Sequence, residues 1–240
     1  MSETFVLIHG AWHGGWTWRP VATELRRAGC KVFALNLPGV ADGADPRKYT
    51  LADVVDYIVD FVDSRDLRDV TMVGHSWGGY PLTGAAQQLS ARLRKLVYWS
   101  AFVPNEGVPL IEEVPPAYKE TFTDLAAASG NNTVTLPYEI FSTAFIQDAE
   151  ENVRKLVHSL LVPHPMQYFT EPVASARPSE LGIPASYVIS GDDISLPPGE
   201  YAFMPRFPDR LGDVPVIETP GSHEANFTRP AELAQTLLKA

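Results

Sequence analysis

Val73-Gly74-His75-Ser76-Trp77-Gly78-Gly79 decides how this chain is read. The stretch follows a short apolar run, Val70 to Val73, and opens a helix-like segment, Trp77 to Leu89. A Gly-x-Ser-x-Gly pattern between a strand and a helix is a nucleophile elbow. Its sharp turn pushes the serine hydroxyl out of the backbone path. Glycines two residues to either side let strand and helix approach without Cβ clashes. The new helix aims its unpaired N–H groups at the space above the serine.

The flanking sequence predicts the scaffold such a serine needs. Phe5-Val6-Leu7-Ile8 is a continuous apolar run, as expected of a strand buried on both faces. Trp18 to Ala28 reads as a helix stopped by Gly29, and Lys31 to Leu35 as a second strand. Val40 to Tyr49 reads as a polar loop. Thr50 is a candidate N-cap with Asp53 three residues on, ahead of Leu51, Val54, Val55, Ile58, Val59 and Val62 at helical spacing. Leu96 to Ser100 is the next strand. The alternation of strand and helix implies an α/β fold with a doubly wound, mostly parallel sheet.

The rhythm breaks at Pro104. From there to Arg177 the chain is rich in proline, with helical patches at Ala117 to Ala128 and Ala149 to Leu161 and no lasting strand alternation. This predicts an inserted, mainly helical cap over residues 104–177 on a core of residues 1–103 and 178–240, all one structural domain. Strands resume at Ala185 to Ser190 and Val214 to Thr219, and a last helix covers Pro230 to Lys239.

A serine hydroxyl is a weak nucleophile at neutral pH and needs a base, which needs an orienting carboxylate. In a doubly wound sheet such groups gather at the carboxyl ends of the strands. Six histidines are present. His75 belongs to the elbow and should point away from Ser76. His9 and His13 come too early in the chain for the order Ser, acid, His. His158 and His164 fall in the cap, with a surface or packing role expected. His223, in Thr219-Pro220-Gly221-Ser222-His223 after the last strand, is the candidate base. The acid should follow Ser190, where Asp192 and Asp193 compete. Asp193 is preferred because it has more room to turn back toward the strand ends. Two backbone N–H groups should form an oxyanion hole. Trp77 follows the nucleophile, and Ala11 lies in the loop His9-Gly10-Ala11-Trp12-His13-Gly14-Gly15-Trp16 after the first strand.

Composition narrows the partners. The chain has 240 residues, 45% of them hydrophobic, enough for a sizeable core. A net charge of −10 argues against nucleic acid or an anionic membrane as partner. The single cysteine, Cys30, allows no intrachain disulfide and reads as a packed thiol. No apolar stretch is long enough to span a bilayer and no secretory leader opens the chain, so a cytoplasmic location is expected. No zinc spacing and no dinucleotide motif is present, so neither metal nor cofactor is expected. A homodimer stays open.

These motifs together resemble the α/β-hydrolase fold, and more closely the plant methylesterase and hydroxynitrile lyase group with its bacterial esterase relatives. The carrying segments are Phe5 to Trp16, Gly74 to Gly79, Gly191-Asp192-Asp193 with Leu196-Pro197, and Gly221-Ser222-His223. The resemblance implies a triad of Ser76, Asp193 and His223, oxyanion N–H groups from Ala11 and Trp77, and a mobile cap over an apolar pocket. Hydroxynitrile lyases of this group carry a lysine directly after the triad histidine and a threonine beside the oxyanion residue. Here those positions are Glu224 and Gly10, which disfavours cyanide chemistry.

The expected function is a serine esterase that cleaves a carboxylic ester or lactone of a small apolar or aromatic molecule through an acyl-enzyme. Trp77, Phe102, Phe122, Phe141, Phe145 and Phe169 are the candidate pocket aromatics. Two alternatives share the fold: carbon–carbon hydrolase, lyase or cyclase chemistry on the same triad, and a non-catalytic receptor for a small molecule.

Overall fold

A computed structural model describes residues 3–41 and 43–240. Six parallel strands form the central sheet: β1 (Thr4–Ile8), β2 (Lys31–Ala34), β3 (Val70–His75), β4 (Leu93–Trp99), β7 (Ala185–Ser190) and β8 (Val216–Thr219). β5 (Thr133–Val134) and β6 (His164–Pro165) form a separate antiparallel pair. The large sheet has the order β2-β1-β3-β4-β7-β8. The chain steps from β1 out to β2, then crosses back to β3 on the other side of β1. Strand order therefore reverses between β1 and β3, and a crevice opens at their carboxyl ends. The elbow follows β3 and the Gly10–Gly15 loop follows β1, so both motifs border that crevice.

Alternation along each strand sends side chains into two cores. Phe5, Leu7, Val73, Val97, Trp99 and Val188 face α1 (Arg19–Arg27) and the final helix, Pro230–Lys239. Cys30 packs at the edge of this layer. Val6, Ile8, Met72, Leu96, Tyr98 and Tyr187 face the other way, toward α2 (Leu51–Ser64) and α3 (Gly79–Leu89). Burial on both faces makes Phe5–Ile8 of β1 and Leu96–Trp99 of β4 contiguous apolar runs. α2 starts where the capping pattern puts it. The Thr50 hydroxyl accepts from Asp53 N–H at 3.1 Å, and the Asp53 carboxylate accepts from Thr50 N–H at 2.7 Å. Such a cap is worth about 1 kcal/mol.

Residues 104–177 leave the sheet after β4 and return at β7. They contain α4 (Pro116–Ala128), a widened helical turn at Phe141–Phe145 and a helix at Glu151–Ser159. One short ladder also forms here. Thr133 pairs with Pro165 and Val134 with His164, a ladder too short to show alternation in sequence. β4 also begins at Leu93, three residues before the apolar run, because Arg94 and Lys95 lie at its more exposed start.

Candidate active site

Ser76 directly follows β3 with φ of 54°, the left-handed region that costs a non-glycine residue about 1–2 kcal/mol. Close packing holds it there. A Cβ on Gly74 would stand 2.8 Å from the Gly78 carbonyl oxygen, and one on Gly78 would stand 2.7 Å from that of His9. The Ser76 carbonyl accepts from Phe102 N–H at 3.1 Å, and the Trp77 indole donates to the Tyr168 carbonyl at 3.1 Å. His75 points into the core. It stacks on Trp99 at 4.0 Å between centroids and its Nε2–H donates to the His223 carbonyl at 3.0 Å.

The two competing carboxylates separate cleanly. After β7 the chain turns as Asp193 N–H bonds the Ser190 carbonyl at 3.1 Å. Asp193 Oδ2 then accepts from His223 Nδ1 at 2.7 Å, with both side chains buried. Its Oδ1 accepts from Ser195 N–H at 3.0 Å and Ser195 O–H at 2.7 Å. Asp192 is exposed at the loop surface, and its carbonyl receives the Gln147 amide at 2.6 Å. Burial works against a charged Asp193, yet attraction to His223 and these hydrogen bonds hold the carboxyl below its ordinary value. For His223 burial works against the cation, but the Asp193 charge outweighs it and raises the imidazole above its ordinary value.

The loop after β1 is clamped by neutral histidines. His9 Nδ1–H donates to the Gly10 carbonyl at 2.8 Å, the far end of the peptide that carries the Ala11 N–H. Leu37 N–H donates to the other His9 nitrogen at 3.4 Å, which settles the tautomer. Burial pushes His9 down to about 4. The next peptide is held at both ends. His13 Nδ1–H donates to the Ala11 carbonyl at 2.7 Å, and Trp12 N–H donates to His164 Nδ1 at 3.4 Å. Trp12 itself has φ of 63°. His164 thus does more than pack in the 104–177 segment, although nothing in its sequence neighbourhood signals a contact with Trp12, 152 residues away.

Ser76, His223, Ala11 and Trp77 all line one cavity whose other walls are mostly apolar. Of the six candidate aromatics, Trp77, Phe102, Phe122, Phe145 and Phe169 line it. Phe141 does not: it is buried in the 104–177 segment, packed against His158. Trp12, Tyr118, Phe203 and Ser195 line the cavity and were not singled out from sequence. Ser195 carried a usable signal, since a serine two residues after an aspartate is the spacing of an Asx turn. Among the described residues, no helix is long and apolar enough to cross a membrane.

Known proteins are similar to this one over nearly the whole chain. A carbendazim hydrolyzing esterase from Nocardioides sp. (strain SG-4G) is 30% identical, covering 97% of each chain. Methylesterase 7 of Arabidopsis thaliana is 26% identical over 99% of this chain and 96% of its own. The structure of an extracellular alpha/beta-hydrolase from a Paenibacillus species superposes with a TM-score of 0.95 at 31% identity, covering 99% of this chain and 98% of that one. That protein is described as sharing structural and functional homology with tobacco Salicylic Acid Binding Protein 2. The family model described as "Alpha/beta hydrolase family" matches residues 5–236. With a serine at the switch point of a parallel sheet and whole-length relatives of this kind, the chain belongs to the alpha/beta hydrolase family.

Proposed function

We propose that this protein is a serine hydrolase that cleaves a carboxylic ester or lactone of a small apolar or aromatic compound through an acyl-enzyme. One observation carries the reading. The buried Asp193–His223 pair opens onto the same apolar cavity as a strained Ser76 at the end of β3. The esterase names of the whole-length relatives support it.

His223 takes the proton from Ser76 as its oxygen attacks the carbonyl. Asp193 accepts from Nδ1 at 2.7 Å, which keeps Nε2 free to act as base and stabilises the imidazolium. The N–H groups of Ala11 and Trp77 receive the oxyanion. Trp77 lies in the first helical turn after β3, where an N–H lacks a partner one turn back. The alcohol leaves with the proton from His223. Water, activated by the same ring, then releases the acid. Residues 104–177 act as the cap, since Tyr118, Phe122, Phe145 and Phe169 from that segment wall the cavity. An apolar wall favours an uncharged substrate and excludes water from the acyl carbon.

Single-turnover kinetics with p-nitrophenyl esters of graded acyl length test this. Wild type should release a burst of nitrophenol, and Ser76→Ala should release none while keeping its fold by circular dichroism. Equal hydrolysis by the two proteins would refute the mechanism.

A further inference from the structure

Directly after His223, a second buried carboxyl meets a second buried histidine. Glu224 Oε1 lies 3.4 Å from His13 Nε2, and both side chains are shut off from solvent. Among the described residues, neither oxygen of Glu224 nor His13 Nε2 has a hydrogen-bond partner. The gap that Glu224 and His13 enclose with Ser76 and His223 has no room for a water molecule.

Counting hydrogens forces a conclusion. His13 Nδ1 faces the Ala11 carbonyl at 2.7 Å, and a carbonyl only accepts, so Nδ1 carries the hydrogen. In a neutral ring Nε2 is then a bare lone pair. A carboxylate also only accepts. Two bare acceptors would face each other in a dry site, each with the cost of an unsatisfied buried group. One proton between them removes both costs, whether it rests on oxygen or nitrogen. The chain Glu224–His13–Ala11 carbonyl is then unbroken, and the pair has no net charge.

Burial, Asp193 and Asp148 favour the uncharged acid and outweigh His223 and Asn226, which favour the carboxylate. Glu224 faces His223 on its own loop, Asp193 on the loop after β7 and Asp148 on the loop before the Glu151–Ser159 helix; His13 faces His9 and His223. Asn226, on the helical turn after Glu224, donates its amide hydrogens to the Thr17 carbonyl and hydroxyl, at 3.1 and 2.6 Å. Burial above all pushes Glu224 up to about 7 and His13 down to about 3. The acid therefore donates to Nε2.

We infer that Glu224 and His13 share one proton, and that this proton ties the loop carrying Ala11 to the loop carrying His223, which makes Glu224 a positioning residue for ester cleavage. The positioning half rests on the serine-hydrolase reading above; the shared proton does not. The tie reaches the residue whose N–H is assigned to the oxyanion, so its loss acts on the transition state more than on substrate binding. The proton is present at acid pH and leaves as pH rises through about 7, so turnover should gain an alkaline limb there.

Two experiments test the two halves. In protein labelled with carboxyl-13C glutamate, the resonance absent from Glu224→Gln should titrate near pH 7, in wild type and in Ser76→Ala alike. A midpoint in the ordinary glutamate range would overturn the shared proton, whatever the protein hydrolyses. In ester kinetics, Glu224→Leu should lower kcat about 10- to 100-fold, short of or at the loss of a whole oxyanion donor, with KM within about twofold. Glu224→Gln offers Nε2 a permanent N–H donor. It should restore most of that kcat and abolish the alkaline limb. An alkaline limb unchanged in Glu224→Gln, or wild-type kcat in Glu224→Leu, would overturn the positioning role. If no ester is turned over by a Ser76-dependent route, the titration alone still decides whether the proton is shared.

Discussion

Two carboxyl–histidine pairs meet at one loop, and they have opposite characters. Asp193 and His223 form a tight pair in which the acid receives three further or shared hydrogens: from Nδ1, from Ser195 N–H and from Ser195 O–H. Glu224 and His13, one residue further along, are equally buried, but among the described residues neither oxygen of the Glu224 carboxyl has a hydrogen-bond partner. Burial opposes charge on both acids. Where the His223 charge and several donors outweigh burial, the carboxyl is held below its ordinary value; where burial outweighs its neighbours, it rises to about 7. Depth alone does not set the ionisation of a carboxyl. The charges beside it and the hydrogens aimed at it decide together with depth. The ionised pair suits a base that must become a cation in the transition state. The uncharged pair suits a strut.

The sharpest way to break this contrast is Asp193→Asn. The substitution keeps size and removes charge, and the amide presents Nδ1 with the wrong donor pattern. kcat toward a p-nitrophenyl ester should fall about 10⁴-fold, an effect of the size seen when a triad aspartate is replaced in this way. A fall of only a few fold would make the two pairs equivalent and remove the case for Asp193 as the acid.

A third buried carboxyl supplies a structural control. Arg210 grips Glu113 with two bonds of 2.9 Å, and Arg206 binds it as well while also holding the Glu113 carbonyl at 2.8 Å. Arg210 further bonds the Val103 carbonyl at 2.7 Å. This pair joins the start of the 104–177 segment to the Arg206–Leu211 helix. Glu113→Gln leaves two guanidinium groups without their counter-charge, at a cost of about 3 kcal/mol. The thermal midpoint should drop by about 10 °C while kcat at 25 °C stays near wild type. A kcat loss as deep as that of Asp193→Asn would mean that the Glu113 cluster governs the cavity as well as the fold.

Sequence spelled out the sheet better than it spelled out the cavity. The Phe5–Ile8 run of β1 is apolar throughout because both its faces are covered, and Thr50 with Asp53 marks the start of α2 by local hydrogen bonds alone. Such features involve neighbours in the chain. Asp192 and Asp193 could not be separated that way. What divides them is the turn that bonds Asp193 N–H to Ser190 and Asp192 N–H to the Gly221 carbonyl, a contact between two distant loops. Tyr118 reaches the cavity from α4 and Phe203 from a loop, and only the packing of those elements over the sheet shows that their side chains face Ser76. Glu224 was visible only as a charge of the wrong sign for a lyase. Its partner His13 stands 211 positions earlier, and only the fold brings the two together.

The smallest expected effect probes how many hydrogens Asp193 needs. Ser195→Ala removes the O–H donor at 2.7 Å but keeps the backbone N–H at 3.0 Å and the carbonyl that accepts from the Tyr118 hydroxyl. One hydrogen bond to a charged group is worth about 1.5–3 kcal/mol, much of which the remaining donors absorb, so kcat/KM should fall only about tenfold or less. The pH profile carries the sharper signal. In the proposed mechanism His223 must be neutral to accept the Ser76 proton, so activity should be full above its pKa and lost as pH falls through it. That pKa already lies above the ordinary value because of Asp193. With one donor fewer drawing on its charge, Asp193 attracts the Nδ1 proton more strongly, and the acid limb should move to higher pH. A limb that stays in place would show that Ser195 orients the loop without tuning the carboxylate, and the contrast between the two pairs would then rest on His223 Nδ1 and the Ser195 backbone alone.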